Sequence, residues 1–332
     1  MHVPDTIRGL AAENLKNYRT SRYDGTGFDL DLGRLEPADR DILARIYEAV
    51  QTLALLWPQG AVRLDHRAAE EYIRGVADDR LMTDARRLGA ATRAAGREDG
   101  AVRKAIHDVR GGGLSVFLGT ADLLDLLPGN EILVRKCFEA ARDHAKIMRN
   151  IFPDIDPPNR EVDTATRPHA IDHFVTKWDG MEVKQGEGAV TVAVRCAYRG
   201  SISARCLETS SIDRVVYNYV NNAVRFSADG RVTLWIVPVG AGLTRWVVEN
   251  RITPDQAAFL AAAAGSGLNR LYAGGITRGG SGVGLTNCAD IIADCFGLES
   301  PADAVSHGYL GATSDGSSYY AWFHWPAFTP EG

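Results

Sequence analysis

The chain has 332 residues, enough for about two or three domains of ordinary size, and its 45% hydrophobic and 24% charged residues suit a soluble globular protein. A net charge of −5 lacks the basic footprint of a general nucleic-acid binder. No stretch approaches the roughly 18–20 apolar residues of a membrane span, and the N-terminus has no basic region followed by an apolar core, so a cytoplasmic chain without a membrane span is expected.

Residues 1–35 are polar, with Asp24-Gly-Thr-Gly27 as turn chemistry. From Glu36 to about Gly96 the pattern is helical, with Leu43, Ile46, Tyr47, Val50, Leu53 and Ala54 on one face. Glu36-Pro37 and Trp57-Pro-Gln-Gly60 punctuate this region, and Asp79–Arg93 reads as a further charged helix. Residues 1–98 are therefore expected to form a helical input or docking region, open to a ligand or a separate sensor.

A second helical block spans 99–155. Val102, Ile106, Val109, Gly113, Val116, Phe117, Leu123, Leu124 and Leu127 mark one apolar stripe, Pro128-Gly-Asn130 makes a turn, and Ile132, Cys137, Phe138, Ala141, Ala145, Met148 and Ile151 mark a returning helix. Two helices alone bury little surface, so this antiparallel hairpin is expected to pair with a second copy in a dimeric four-helix bundle.

Asp156-Pro-Pro158 begins an expected linker. Over 165–330 the texture becomes mixed. Val190–Cys196, Ile202–Leu207, Val232–Val239, Leu243–Val248, Tyr309–Ala312 and Tyr319–His324 read as strands, and Ser211–Phe226 and a segment around Asp290 as helices. The expected fold class is α plus α/β: helical region, helical hairpin, then an α/β sandwich. Cys137, Cys196, Cys206, Cys288 and Cys295 lack metal-type spacing and read as reduced thiols.

Three segments carry chemistry. His107 lies beside Asp108, which can accept a proton from the imidazole and leave a ring nitrogen free to attack phosphorus, and Arg110 adds a cation suited to phosphate oxygens. Gly111-Gly-Gly113 follows inside the stripe, at about 1 kcal/mol per glycine relative to alanine, which points to a hinge or a close helix approach. Asn218 and Asn222 share a helix face with Arg225. They read either as a polar helix surface or as amides that ligate Mg²⁺ and bond phosphate oxygens. Gly274-Gly275 and Gly279-Gly-Ser-Gly-Val-Gly-Leu285 form a glycine-rich run entering a helix, which reads either as a surface loop or as a phosphate cradle.

Together these residues resemble the histidine protein kinases of two-component signalling. His107-Asp-Val-Arg110 is similar to the family's phosphoacceptor box. Asn218 through Ala223, with Arg225-Phe226-Ser227, resembles the asparagine box of the GHKL ATPase superfamily, and Gly280-Ser-Gly-Val-Gly-Leu285 resembles its second glycine box. The resemblance covers about residues 100–330. It implies that His107 is phosphorylated from Mg-ATP with Asp108 as acid/base helper, and that the phosphoryl group passes to an aspartate on a response-regulator receiver domain. It further implies that Asn222 ligates Mg²⁺, that Asn218 and Arg225 lie near the phosphates, and that Gly280, Gly282 and Gly284 line the ATP lid. Where the family carries an adenine-binding aspartate followed by glycines, this chain has Trp246-Val-Val-Glu-Asn-Arg-Ile252; Asn250 fits that place by strand phase, with Glu249 the other candidate. The alternatives are a histidine phosphotransfer protein without a working nucleotide site, or a non-catalytic dimeric scaffold.

Overall fold

A computed structural model describes residues 3–10, 15, 29–56, 65–186, 188–240, 242–265, 267–276, 278 and 282–328. The Asp24-Gly-Thr-Gly27 and Trp57-Pro-Gln-Gly60 turns and Gly280 lie outside them. The chain divides into two compact units: Phe28–Ala165 with Glu182–Ala189, and Met1–Gly27 with Thr166–Met181 and Val190–Gly332. The class is α plus α/β. No helix among the described residues is long and apolar enough to cross a membrane.

In chain order the helices begin with α1 (Asp5–Arg8), which belongs to the α/β unit. The helical unit holds α2 (Pro37–Leu56), α3 (His66–Val76), α4 (Asp79–Arg87), α5 (Ala90–Ala94), α6 (Gly100–Arg110), α7 (Gly112–Leu126), α8 (Glu131–Ile151) and α9 (Pro157–Thr164). Short acidic or amide side chains start most of them. Asp65, Asp78, Asp99, Asn130 and Asp156 each accept from first-turn N–H groups, satisfying donors that the helix itself cannot.

Three local expectations change. The charged helix over Asp79–Arg93 is two helices, because Gly89 takes a left-handed φ of 86° and a side chain there would collide with Ile106. The buried Asp39 carboxylate fastens this break by accepting from the N–H groups of Gly89 and Thr92 and from the Thr92 hydroxyl. The stripe over 102–127 is likewise two helices, separated at Gly111 with Gly112 at φ 47°. The linker expected at Asp156-Pro-Pro158 is helix α9, anchored by a buried ion pair in which Arg149 donates to Asp163 at 2.7 Å.

α7 and α8 form the antiparallel hairpin, but α8 is buried around most of its circumference, including Lys136, Asp143, Arg149 and Asn150. α2 packs along it within the same chain. That packing covers apolar surface for which the sequence pattern suggested a second copy. Gly113 sets the α7–α8 spacing: a Cβ there would stand 3.0 Å from His144 Cβ and 3.2 Å from the Ala140 carbonyl oxygen.

The α/β unit contains β1 (Thr166–Ala170), α10 (Ile171–Trp178), β3 (Gly188–Cys196), β4 (Ser201–Arg205), α11 (Cys206–Phe226), β5 (Arg231–Val239), β6 (Leu243–Arg251), α12 (Pro254–Ala264), α13 (Gly284–Phe296), α14 (Pro301–Ser306), β7 (Leu310–Ser314) and β8 (Ser318–Pro326). Most of β2 (Met181–Gln185) groups with the helical unit, where the Thr120 hydroxyl of α7 donates to the Glu182 carbonyl. Within the α/β unit the main sheet runs β3-β5-β6-β8-β7, with β3 parallel to β5 and the other neighbours antiparallel. β1 and β4 form a separate antiparallel pair.

The strand expected over Ile202–Leu207 stops at Arg205, where α11 begins five residues earlier than the pattern indicated. α11 and α13 lie on one face of the sheet. Its aromatic core stacks Trp246 on Phe323 at 5.6 Å between ring centroids, with Phe174 edge-on to Trp246. α10 is tied to α11 by the buried Lys177–Asp213 ion pair, with the Lys177 ammonium also over the Phe174 ring.

Substituting Gly113→Val is expected to lower stability by about 2 kcal/mol, since α7 and α8 must separate to admit the side chain. Urea denaturation, compared with a Gly75→Ala control at an uncrowded helix position, measures it.

Candidate functional site

The residues singled out by sequence fall into two clusters, one in each unit. In the helical unit, Asp99 caps α6 by accepting from the Val102 N–H, and Val102, Ala105, Ile106 and Val109 bury one side of the helix. Burial of that side leaves His107 at the margin: its side chain is 22% exposed, whereas Asp108 is 2% exposed. His107 Nδ1 lies 3.1 Å from Asp108 Oδ1. An ionised carboxylate can only accept, so this contact places the proton on Nδ1 and leaves the Nε2 lone pair available as a nucleophile. The helix ends at Arg110, so His107 stands in the last turn, where the dipole favours positive charge developing on the ring. Arg110 is exposed beside it.

Sequence reading missed His144. It is fully buried on α8 against Gly113, and burial pushes its pKa down to about 4, with Asp108 the charge opposing that shift. Nothing in the local pattern singles out His144; only the bend at Gly111–Gly112 and the close α7–α8 approach bring it near Asp108.

In the α/β unit, a cavity is lined by Asn222 and Tyr219 from α11, Val248 and Asn250 from β6, Tyr319 and Ala321 from β8, and Leu285 from α13. Asn250 is 2% exposed. Its Nδ2 donates to the carbonyls of Arg251 at 3.0 Å and Phe226 at 3.4 Å. Two carbonyl acceptors fix the amide orientation, because the flipped form would set oxygen against oxygen. Asn250 Oδ1 is therefore the buried atom without a partner, and it can accept from an amine. Glu249, the other candidate, lies on the opposite face of β6, where its carboxylate accepts from Trp235 Nε1 at 2.8 Å.

The remaining described candidates are not among the residues that line this cavity. Asn218 is buried and turns its Nδ2 back to the Arg214 carbonyl at 2.9 Å, outside the cavity lining. Arg225 is exposed, with its guanidinium 5.4 Å from the Phe226 ring. Gly282 takes φ 70°, and Gly284 opens α13, whose N-cap Val283 makes no side-chain cap bond. Gly274, at φ 83°, packs close to the Gly282 carbonyl and the Thr286 hydroxyl, so the two ends of the glycine run return to one place. The first-turn N–H groups of α13 are suited to an anion.

The displaced titration of His144 has a measurable sign. The unfolded chain binds a proton near the ordinary histidine pKa of about 6.5, whereas the folded chain refuses it until about pH 4. Stability is expected to be complete above pH 6.5 and to fall by about 3 kcal/mol between there and pH 4 on this account. Denaturation series at pH 7, 6, 5 and 4 should show a shallower loss in His144→Leu.

No protein-family model and no curated protein sequence matches the chain. Solved structures similar to it are histidine kinases. A mycobacterial sensor histidine kinase, MprB, is 14% identical, with 49% of this chain and 98% of that chain covered and a TM-score of 0.31. Full-length ShkA, solved in complex with AMPPNP, is 12% identical over 91% of this chain and 47% of that chain, with a TM-score of 0.37. A histidine kinase from Burkholderia phymatum is 14% identical over 68% of this chain and 99% of that chain, with a TM-score of 0.29. At TM-scores of this size the likeness carries no argument by itself, and the functional reading rests on the residues of the two clusters.

Proposed function

We propose that the chain is a protein-histidine kinase that phosphorylates His107 from Mg-ATP and passes the phosphoryl group to an aspartate of a response-regulator receiver domain. The observation that carries this reading is Asn250 Oδ1, an unpartnered acceptor at a cavity shared with Asn222. The 6-amino group of adenine supplies the missing donor, whereas the 6-oxo group of guanine would oppose one oxygen to another. Asn222 is the residue fitted to hold Mg²⁺, whose role when bound is to neutralise phosphate charge.

At His107, the Asp108 carboxylate keeps the proton on Nδ1 and aims Nε2 outward. The Nε2–phosphorus bond forms as the bond from the γ-phosphorus to the β,γ-bridging oxygen breaks, and ADP leaves with that oxygen. Asp108 stabilises the positive charge that develops on the ring, as does the C-terminal end of α6. A homodimer, and input through the N-terminal region, belong to the same reading.

A second reading is favoured by the size of the cavity, of which only about 10 Å³ admits the centre of a water molecule. Adenine enters only if side chains of the lining move aside. A chain in which they did not move would act as a phosphotransfer protein, with His107 taking its phosphoryl group from another phosphoprotein.

Incubation with γ-³²P-ATP and Mg²⁺ separates the two. The kinase reading expects acid-labile, alkali-stable label that is lost in His107→Gln; label persisting in that variant would refute the nucleophile. Label appearing only from a phosphorylated receiver domain would establish the phosphotransfer reading. Calorimetry is expected to give about tenfold or weaker Mg-ATP binding for Asn222→Ala and for Asn250→Leu, each of which removes a polar partner from the ligand.

A further inference from the structure

The face of the main sheet opposite α11 and α13 carries an occupant of its own. Val3, Ile7 and Leu10 are 8%, 0% and 7% exposed and form one apolar cluster with Val237 of β5, Val247 of β6, and Tyr320 and Trp322 of β8, with Trp235 packed alongside. The contact also has a polar lock. Arg245 Nη1, buried in β6, donates to the carbonyls of Ile7 at 2.6 Å and Arg8 at 2.9 Å, the last residues of α1. Its Nε donates to His324 Nε2 at 3.0 Å, and burial pushes the His324 pKa down to about 3, so the imidazole is the neutral acceptor this bond needs. A cation on the final carbonyls of a helix satisfies both their hydrogen bonding and their dipole.

We propose that residues Val3–Leu10 act as a detachable strap on the outer face of this sheet, and that its seating is transmitted to the nucleotide pocket through β6 and β8. The second half of this proposal rests on the kinase reading; the first does not. Three apolar side chains and one capping cation oppose the cost of ordering eight residues, so seating is an equilibrium that a modest external force can bias. Transmission follows from register. The outer pairs Arg245–His324 and Val247–Trp322 alternate along the same two strands with the inner pairs Trp246–Phe323, Val248–Ala321 and Asn250–Tyr319. The strap grips the first set, and Val248, Asn250, Tyr319 and Ala321 line the cavity. A signal that lifts the N-terminus thus frees the two strands that hold the acceptor for adenine.

The test uses the full chain and a fluorescent peptide of residues 1–11. In the wild-type chain the outer face is occupied at high effective concentration, whereas Ile7→Asp vacates it. The labelled peptide is expected to bind the Ile7→Asp chain about tenfold more tightly than the wild type by anisotropy, and to lose that binding when Arg245→Gln is added. Binding to neither chain, or equal binding to both, would overturn the strap. Should Ile7→Asp not fold, Ile7→Ala provides the same comparison. For transmission, calorimetry with Mg-ADP is expected to show about fivefold weaker affinity in Ile7→Asp than in wild type. Equal affinities would overturn transmission. A wild-type chain that binds no nucleotide would overturn the kinase reading and transmission with it, while the anisotropy result would still decide the strap.

Discussion

Strand β6 is buried on both faces, and the α/β unit is organised by that constraint. Trp246, Val248 and Asn250 point to the side covered by helices, while Arg245, Val247 and Glu249 point to the other. An antiparallel strand with one solvated face would alternate apolar and polar residues. Here the second face carries an arginine and a glutamate, and each is matched: Arg245 to the end of α1 and to His324, Glu249 to the Trp235 indole N–H. Burying a cation is tolerable only when its hydrogen bonds are completed. The carbonyls that complete them come from the far N-terminus of the chain.

In the helical unit the corresponding constraint is the spacing of α7 and α8 at Gly113. Close approach buries His144 beneath the end of α6 and keeps it neutral, because no water is left to solvate an imidazolium. The break at Gly111–Gly112 ends α6 one turn after His107, so the imidazole sits at a helix terminus rather than within a continuous helix. Glycine supplies both properties, left-handed backbone at Gly112 and missing bulk at Gly113, and alanine-rich packing elsewhere on α8 supplies neither.

Much of the candidate site was legible because its residues are local in sequence. His107 and Asp108 are adjacent in sequence, Asn218 and Asn222 are one helical turn apart, and the glycine run precedes a helix start. Strand phase favoured Asn250 over Glu249 for the place of the family's adenine-binding aspartate, since successive residues of a strand face opposite ways. Element ends were less legible. Ile202–Leu207 reads as strand by its alternation, yet from Cys206 the segment winds as helix, with Leu207 buried in it. Gly89 looked like one more residue of a charged helix until Ile106, distant in sequence, filled the space beside it.

The sequence by itself determined the main helices and strands, the proximity of His107 to a carboxylate, and the parity that sets Asn250 apart from its neighbours, because periodicity and adjacency are properties of the chain. The tertiary structure decided which surfaces those elements meet. α2 lies along α8, His144 comes to the side of Asp108, Asn250 Oδ1 is left without a partner, and Val3, Ile7 and Leu10 close the outer face of the sheet. The packing contacts among these join residues tens or hundreds of positions apart, and such contacts are selected by complementary shape and by the burial of apolar surface, neither of which local pattern encodes.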